Sequence, residues 1–197
     1  MMQTDDRLVL EELHDQHPIH LFACEDEEIN EYLRVEALVD MKRSVARTFV
    51  VIDSEQPAIS NIAGFFTLRA DALRIKETYF EDWMDNIGDA DKTKLDEIDV
   101  PLVELMWLAR DLRWKGVGIG DFLMFSALKV VKNAADCVGL IGLHLRTTER
   151  GRRLYARYMF QEFTEHPVYD KRRYILSIHT LRSIVERLED RPSQDRN

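Results

Sequence analysis

The segment Leu108-Ala109-Arg110-Asp111-Leu112-Arg113-Trp114-Lys115-Gly116-Val117-Gly118-Ile119-Gly120-Asp121 carries the most specific chemical signal in the chain. An apolar strand ends, three glycines alternate with other residues, and a helical pattern begins at once. Glycine admits backbone dihedrals and close approaches that other residues cannot reach. Amides at a helix start have no earlier carbonyl to bond, and together they favour an anion such as pyrophosphate. Lys115 can add a charge to that site. A P-loop is excluded, because Gly120 is followed by Asp121 and Phe122 rather than by Lys and Ser or Thr. The dinucleotide fingerprint G-x-G-x-x-G is also missed, since Gly116, Gly118 and Gly120 are evenly spaced. Taken alone, the turn fits a phosphate site and an ordinary strand-to-helix connection equally well.

Acid–base candidates are few. Glu104 lies in an apolar strand four residues before Leu108, so the two-residue period puts both on one side. Apolar surroundings raise a carboxyl's pKa toward the range a general base needs, while an edge-strand surface glutamate is the plain alternative. Asp111 and the histidines are secondary candidates, and His144 reads as a satisfied core histidine. Arg146, Arg150, Arg152, Arg153 and Arg157 can meet a phosphate or an anionic substrate, or can simply coat a solvated helix face. No His/Cys/Asp/Glu spacing points to a metal, and Cys24 and Cys137 form neither a disulfide framework nor a zinc site.

The elements that must position these groups follow from periodicity. A short strand at Leu8–Leu10 precedes an acidic helix start at Glu25–Glu28, where the helix dipole favours carboxylates. Ile29, Tyr32, Leu33 and Ala37 then recur at helical spacing. Thr48–Ile52 and Ile62–Leu68 read as a strand pair. Residues 71–99 read as an acidic helical insertion, with Trp83, Met84, Ile87 and Leu95 spaced for short helices. A strand at Val100–Ala109, the glycine turn, a helix at Asp121–Ala135 and a strand at Val138–Leu145 follow. A basic helix at Arg150–Met159, a strand at Tyr174–Ile178 and a helix at Leu181–Leu188 complete the order. This is an α/β (α+β) sheet domain, expected as one unit over residues 1–197 with helices on both faces.

Composition narrows the class. The chain has 197 residues, of which 45% are hydrophobic and 32% charged, enough to bury a core. No apolar run approaches the ~20 residues that span a bilayer, and the acidic start lacks the features of a signal peptide, so a soluble cytoplasmic protein is expected. Net charge is −9, but residues 1–100 hold 24 acidic and 10 basic side chains against 12 and 17 in residues 101–197. That imbalance speaks against a polyanionic partner, except along the basic second half.

At this point the residues resemble a family. Lys115, Gly118 and Gly120 fall on motif A, Q/R-x-x-G-x-G/A, of the GNAT superfamily of acetyl-CoA-dependent N-acetyltransferases, with lysine in the usual Gln/Arg place. Leu154-Tyr155-Ala156-Arg157-Tyr158-Met159-Phe160 is similar to its F/L-Y-x-x-x-G-F signature, with Met159 in the glycine place. The order of elements agrees over most of the chain. Within the superfamily, Phe22-Ala23-Cys24, Tyr32-Leu33, the run from Ser44 to Val51, Arg113-Trp114 and Tyr174-Ile175-Leu176 most resemble the toxin branch of type II toxin–antitoxin acetyltransferases.

The resemblance implies a mixed, largely antiparallel sheet splayed at an acetyl-CoA site. It places the pantetheine arm on the backbone of Leu108, Ala109 and Arg110. The pyrophosphate falls on Lys115, Gly116, Val117, Gly118, Ile119, Gly120 and Asp121, with Arg152 toward a cofactor phosphate. Tyr155 takes the place of the acid that protonates the departing coenzyme A thiolate, a task a phenol of ordinary pKa ~10 can perform; Tyr158, three residues on, is its nearest rival. Glu104 or a water takes the amine proton. Acetyl-CoA is the cosubstrate and no metal is implied. The reading favoured by charge is acetylation of a protein or small-molecule amine. A toxin acetylating aminoacyl-tRNA, with an antitoxin partner, is the first alternative, and a non-catalytic coenzyme A binding protein the second. A homodimer is compatible with all three.

Overall fold

The computed structural model describes residues 7–55, 62–76, 97–147, 151–163 and 172–190. Seven strands form one sheet in the order β1-β2-β3-β4-β5-β7-β6. They are β1 (Leu8–Glu12), β2 (Arg47–Asp53), β3 (Ile62–Lys76), β4 (Glu97–Arg110), β5 (Gly142–Thr147), β6 (Gln161–Phe163) and β7 (Arg172–Ser177). The helices are α1 (Glu27–Glu31), α2 (Ala37–Lys42), α3 (Ile119–Cys137), α4 (Arg152–Arg157) and α5 (Ile178–Glu189). The architecture is therefore mixed α/β with a mostly antiparallel sheet, as expected. The chain divides into two compact units, Met1–Arg69 with Leu105–Val130 and Ala70–Glu104 with Val131–Asn197.

In the first unit, β1 and β2 pair antiparallel from Leu8↔Asp53 to Glu12↔Phe49. β2 and β3 pair from Arg47↔Leu68 to Val51↔Gly64, and the register then shifts so that Ile52 faces Ile62. Ala63 is the extra residue at this bulge, and its carbonyl accepts the Asp111 N–H at 2.9 Å. Asp26 caps α1 by accepting the Glu28 N–H, and Glu27 and Glu28 occupy the first turn as the dipole favours. A π-helical segment, Tyr32–Glu36, joins α1 to α2. Tyr32, Leu33 and Ala37 turn inward against Leu13, Phe22, Val50, Ile62, Phe65 and Ala109. Each such large side chain withdrawn from water contributes roughly 1.5–3 kcal/mol before entropy is counted.

In the second unit, β5 and β7 pair from Gly142↔Ser177 to Thr147↔Arg172, and β6 adds to the far side of β7. Leu73, Val100, Leu102 and Ile175 form its small apolar core, with Ile141 against them. Ser177 caps α5 through the Thr180 N–H, and Leu181, Ile184 and Val185 are its buried face.

The structure corrects the bounds of several expected elements. The acidic insertion is narrower than residues 71–99, because 71–76 and 97–99 are strand. Trp83, Met84, Ile87 and Leu95 lie outside the described residues. The basic helix is confined to Arg152–Arg157, and the three residues of β6 are too short a run for periodicity to reveal. Among the described residues, no helix is long and apolar enough to cross a membrane.

One close approach ties strand to loop. A Cβ at Gly64 would sit 2.7 Å from Leu123 Cδ1, 2.8 Å from the Ala109 carbonyl oxygen and 3.2 Å from Ile119 Cγ2. The carbonyl belongs to β4 and cannot swing aside. Gly64→Ala is expected to cost about 1–3 kcal/mol, read as a lower urea midpoint with an unchanged slope. Wild-type stability in that variant would show that β4 and the start of α3 do not press on β3.

Candidate active site

The turn after β4 is built on Asp111, whose side chain is 1% exposed. Its Oδ1 accepts from Arg113 N–H at 2.9 Å and Arg113 Nε at 2.6 Å, and its Oδ2 from Ala23 N–H at 3.0 Å and Arg113 NH2 at 2.8 Å. Ala23 returns the contact by accepting the Leu112 N–H at 2.9 Å. Burial alone would push the carboxyl's pKa up. The Arg113 guanidinium, the Arg113 and Ala23 amides and the guanidinium's charge outweigh it and hold Asp111 below the ordinary carboxylate range. Asp111 is thus a structural clamp rather than a base.

Beyond it, Gly116 and Gly118 both have φ +84°, the left-handed region that favours glycine, and open space surrounds each. The Gly118 carbonyl accepts the Asp121 and Phe122 N–H groups at 3.0 and 3.1 Å. That makes Gly118 the cap of α3 and leaves the amides of Gly118, Ile119 and Gly120 beyond reach of any earlier helical carbonyl. Ile119 is buried and anchors the loop, whereas Val117 is 63% exposed. Lys115 Nζ and Arg110 NH2 both contact Glu25 Oε1, at 3.2 and 3.4 Å. Lys115 first, then Arg110, hold the exposed Glu25 carboxyl below its ordinary pKa. Ala109 is buried and Leu108 half-buried at the end of β4.

The second unit contains the other predicted groups. Glu104 is 5% exposed, with Arg146 Nε 3.7 Å from its Oε1, so it is neither a surface glutamate nor a lone carboxylate. His144, expected to be a satisfied core histidine, is fully buried but only half satisfied. Its Nε2 lies 2.8 Å from Asp71 Oδ2, and its Nδ1 has no hydrogen-bond partner. Donor atoms of Asp71, Glu104 and His144 all lie within 4.8 Å of one another. Asp71, 73 residues from His144 in sequence, joins the group only through the fold.

Tyr155 sits in α4, and the end of that helix explains its signature. Phe160 N–H bonds the Tyr155 carbonyl at 3.4 Å and Met159 N–H the Ala156 carbonyl at 3.3 Å, with Met159 left-handed at φ +61°. This is a Schellman cap, in which the residue three before the cap packs on the second residue after it. Tyr155 and Phe160 do so edge-on, with ring centroids 5.8 Å apart. The Y-x-x-x-G-F pattern is therefore a helix stop that holds the tyrosine ring in place, and the glycine place is the one requiring positive φ. Tyr158 is buried at 7% and Tyr155 half-buried, while Arg152, Arg153 and Arg157 are exposed on the same short helix. Arg150 lies outside the described residues.

Rival groups are less suited to the chemistry. Burial pushes the Tyr32 phenol up to about 12, too high for a ready proton donor. Burial likewise raises the Cys24 thiol, so it is no thiolate nucleophile. Glu11, His14 and His17 also converge, a grouping not expected from the sequence. Both ring Nδ1 atoms accept backbone N–H groups there, from His14 and Gln16, and His17 is kept neutral chiefly by burial. A metal on Nε2 would require a proton on each Nδ1, facing those donors.

No protein-family model matches the chain. Its fold matches solved bacterial toxins. A tyrosine-to-phenylalanine mutant of KacT superposes with TM-score 0.73 at 18% identity, covering 90% of this chain and 99% of that one. AtaT complexed with acetyl-methionyl-tRNAfMet gives 0.72 at 19%, covering 90% and 98%. AtaTR bound with acetyl-CoA gives 0.69 at 20%, covering 91% and 98%. The chain has the GNAT fold of these proteins.

Two stability outcomes follow from the geometry. A carboxyl whose pKa is depressed on folding stabilises above its unfolded value of about 3.9 and ceases to as pH falls through the folded value. Asp111→Asn is expected to cost about 2 kcal/mol at pH 7 and to flatten the loss of stability below pH ~4, measured by urea unfolding across pH. An acid limb identical to wild type would contradict the clamp. Met159→Gly, by relieving the left-handed methionine, is expected to add about 1 kcal/mol and raise Tm; a lowered Tm would count against this helix stop.

Proposed function

We propose that this protein is an acetyl-CoA-dependent N-acetyltransferase of the toxin type, whose acceptor is the amine of an aminoacyl-tRNA. The observation that carries the reading is the loop at 115–120: two left-handed glycines feed directly into α3, with Gly118 as its cap. Its amides are arranged for a pyrophosphate, and Lys115 supplies the cation. The likeness in fold to AtaT and KacT supports the same choice.

In this reading the cofactor's pantetheine arm lies along the backbone at Leu108–Arg110. Glu104, directly or through a water, accepts the proton of the acceptor amine. The freed amine attacks the thioester carbonyl, a C–N bond forms, the C–S bond breaks, and Tyr155 gives its proton to the leaving thiolate. Transfer is direct, with no acetyl-enzyme. The acceptor choice reverses the one drawn from charge. Net charge counted on either side of residue 100 describes no surface, because Ala70–Glu104 folds with Val131–Asn197. The exposed Arg152, Arg153 and Arg157 on α4 give that unit a cationic edge suited to a phosphate backbone. An antitoxin partner belongs to the same reading, as AtaT has been solved with the antitoxin AtaR.

The loop is best tested at Gly120. Gly118 needs its positive φ, so a side chain there would strain the backbone as well as block a ligand. Gly120 has open space and no positive φ. Gly120→Val is expected to leave Tm near wild type and to abolish acetyl-CoA binding in calorimetry. Unchanged affinity would remove the site from this loop. Tyr155→Phe is expected to lower turnover about 100-fold or more with unchanged cofactor affinity, followed as release of the coenzyme A thiol. Full activity there, with Tyr158→Phe inactive, would transfer the role to the rival tyrosine.

A further inference from the structure

Strand alternation places Asp71 of β3, Glu104 of β4, His144 and Arg146 of β5 and Arg173 of β7 in one polar stripe across neighbouring strands. Leu73, Leu102 and Ile175, on the same face by the same alternation, form the apolar core of this unit. A purely structural need at the stripe would be met at lower cost by more such residues, since buried charges must offset their desolvation. Departures from a local apolar pattern are expected at functional or strained sites.

The hydrogen bonds in the stripe are directional. Asp71 Oδ1 accepts its neighbour's amide, Ala72 N–H, at 2.9 Å, which orients Oδ2 toward His144 Nε2 at 2.8 Å. With Nε2 as donor, the lone pair is on Nδ1. The imidazole is neutral, because burial lowers its pKa and Arg173 adds to that, against the opposing charges of Glu104 and Asp71. A cation site fits less well. Glu104 already faces the Arg146 guanidinium, Arg173 adds a further positive charge near His144, and a metal on Nε2 would leave the Nδ1 proton without an acceptor.

The geometry points to Asp71 and His144 as positioning residues for Glu104, the base of the transfer. Neutral His144 walls the carboxylate on one side without neutralising it, and Arg146 fixes it on the other. Asp71, its donor oxygen also within 4.8 Å, holds His144 against the carboxylate through its contact with Nε2. Among the described residues, Arg69 of β3 and Arg110 of β4 lie on the same face by the same alternation. The assignment rests on the acetyl-transfer reading and deepens it.

The test compares the full-length protein with Asp71→Asn and His144→Gln. Acetyl-CoA is the donor, and charged tRNA the acceptor, with lysine peptides substituted if tRNA is not acetylated. Asparagine keeps the shape of Asp71 and one acceptor oxygen but puts an NH2 in place of the other, so the charge and one accepted hydrogen bond are lost together. Expected are a kcat about 10- to 100-fold lower in His144→Gln, with KM for acetyl-CoA within about twofold of wild type. In Asp71→Asn kcat should fall about 10-fold, again with KM for acetyl-CoA within about twofold of wild type. Calorimetric affinity for acetyl-CoA should match wild type in both. Wild-type kcat in both variants, or kcat losses matched by losses of cofactor affinity, would overturn the assignment and leave the stripe a structural feature. A wild-type chain that neither binds acetyl-CoA nor transfers acetyl would overturn the underlying reading, and the assignment with it.

Discussion

The Asp111 carboxylate is the fastening on which the turn depends. Four donors from two segments 88 residues apart converge on it, and its own amide bonds the bulged Ala63 of β3. A buried carboxylate is costly unless every lone pair is used, and here both oxygens are bonded twice. Where β4 ends, how the 3₁₀ turn Leu112–Trp114 starts, and where Gly116 and Gly118 can invert the backbone all follow from that one anchored group. The close contact of Gly64 with the Ala109 carbonyl, Ile119 and Leu123 then holds the start of α3 against β3.

Both sequence signatures turn out to be backbone devices. The glycines of the loop exist for positive φ and for exposed amides, not for any side-chain chemistry. The Tyr155–Phe160 segment is a helix stop whose ring contact sets the position of a phenol. This explains why the departures in this chain are tolerated. Lys115 keeps a cation at the loop, although a lysine is a point charge without the fork of an arginine. Met159 accepts the left-handed conformation at a modest energetic cost, because its side chain is exposed and displaces nothing.

Much of this was legible from residue order. The strand end at Leu108–Ala109, the glycine turn, the following helix and the signature around Tyr155 were all local patterns, and local patterns carry their own periodicity. What the sequence concealed was non-local. Asp71 meets His144 only because β3 continues to Lys76, a stretch whose acidic residues suggested an insertion. The partner of Glu104, Arg146, lies on another strand and is exposed by ordinary criteria. Charge was misleading for the same reason: counted along the chain it mixes residues from both units, whereas a ligand meets only the residues that folding places side by side.

The proposed reaction moves an acetyl group from acetyl-CoA to an amine carried on tRNA. The most direct measurement incubates the protein with radiolabelled acetyl-CoA and a complete pool of charged tRNAs, then locates the label after mild base releases the amino acids. The expected result is N-acetylated amino acid released from the tRNA fraction, with transfer weakening steeply as salt rises. Label confined to proteins or small amines, or no transfer at all, would contradict it.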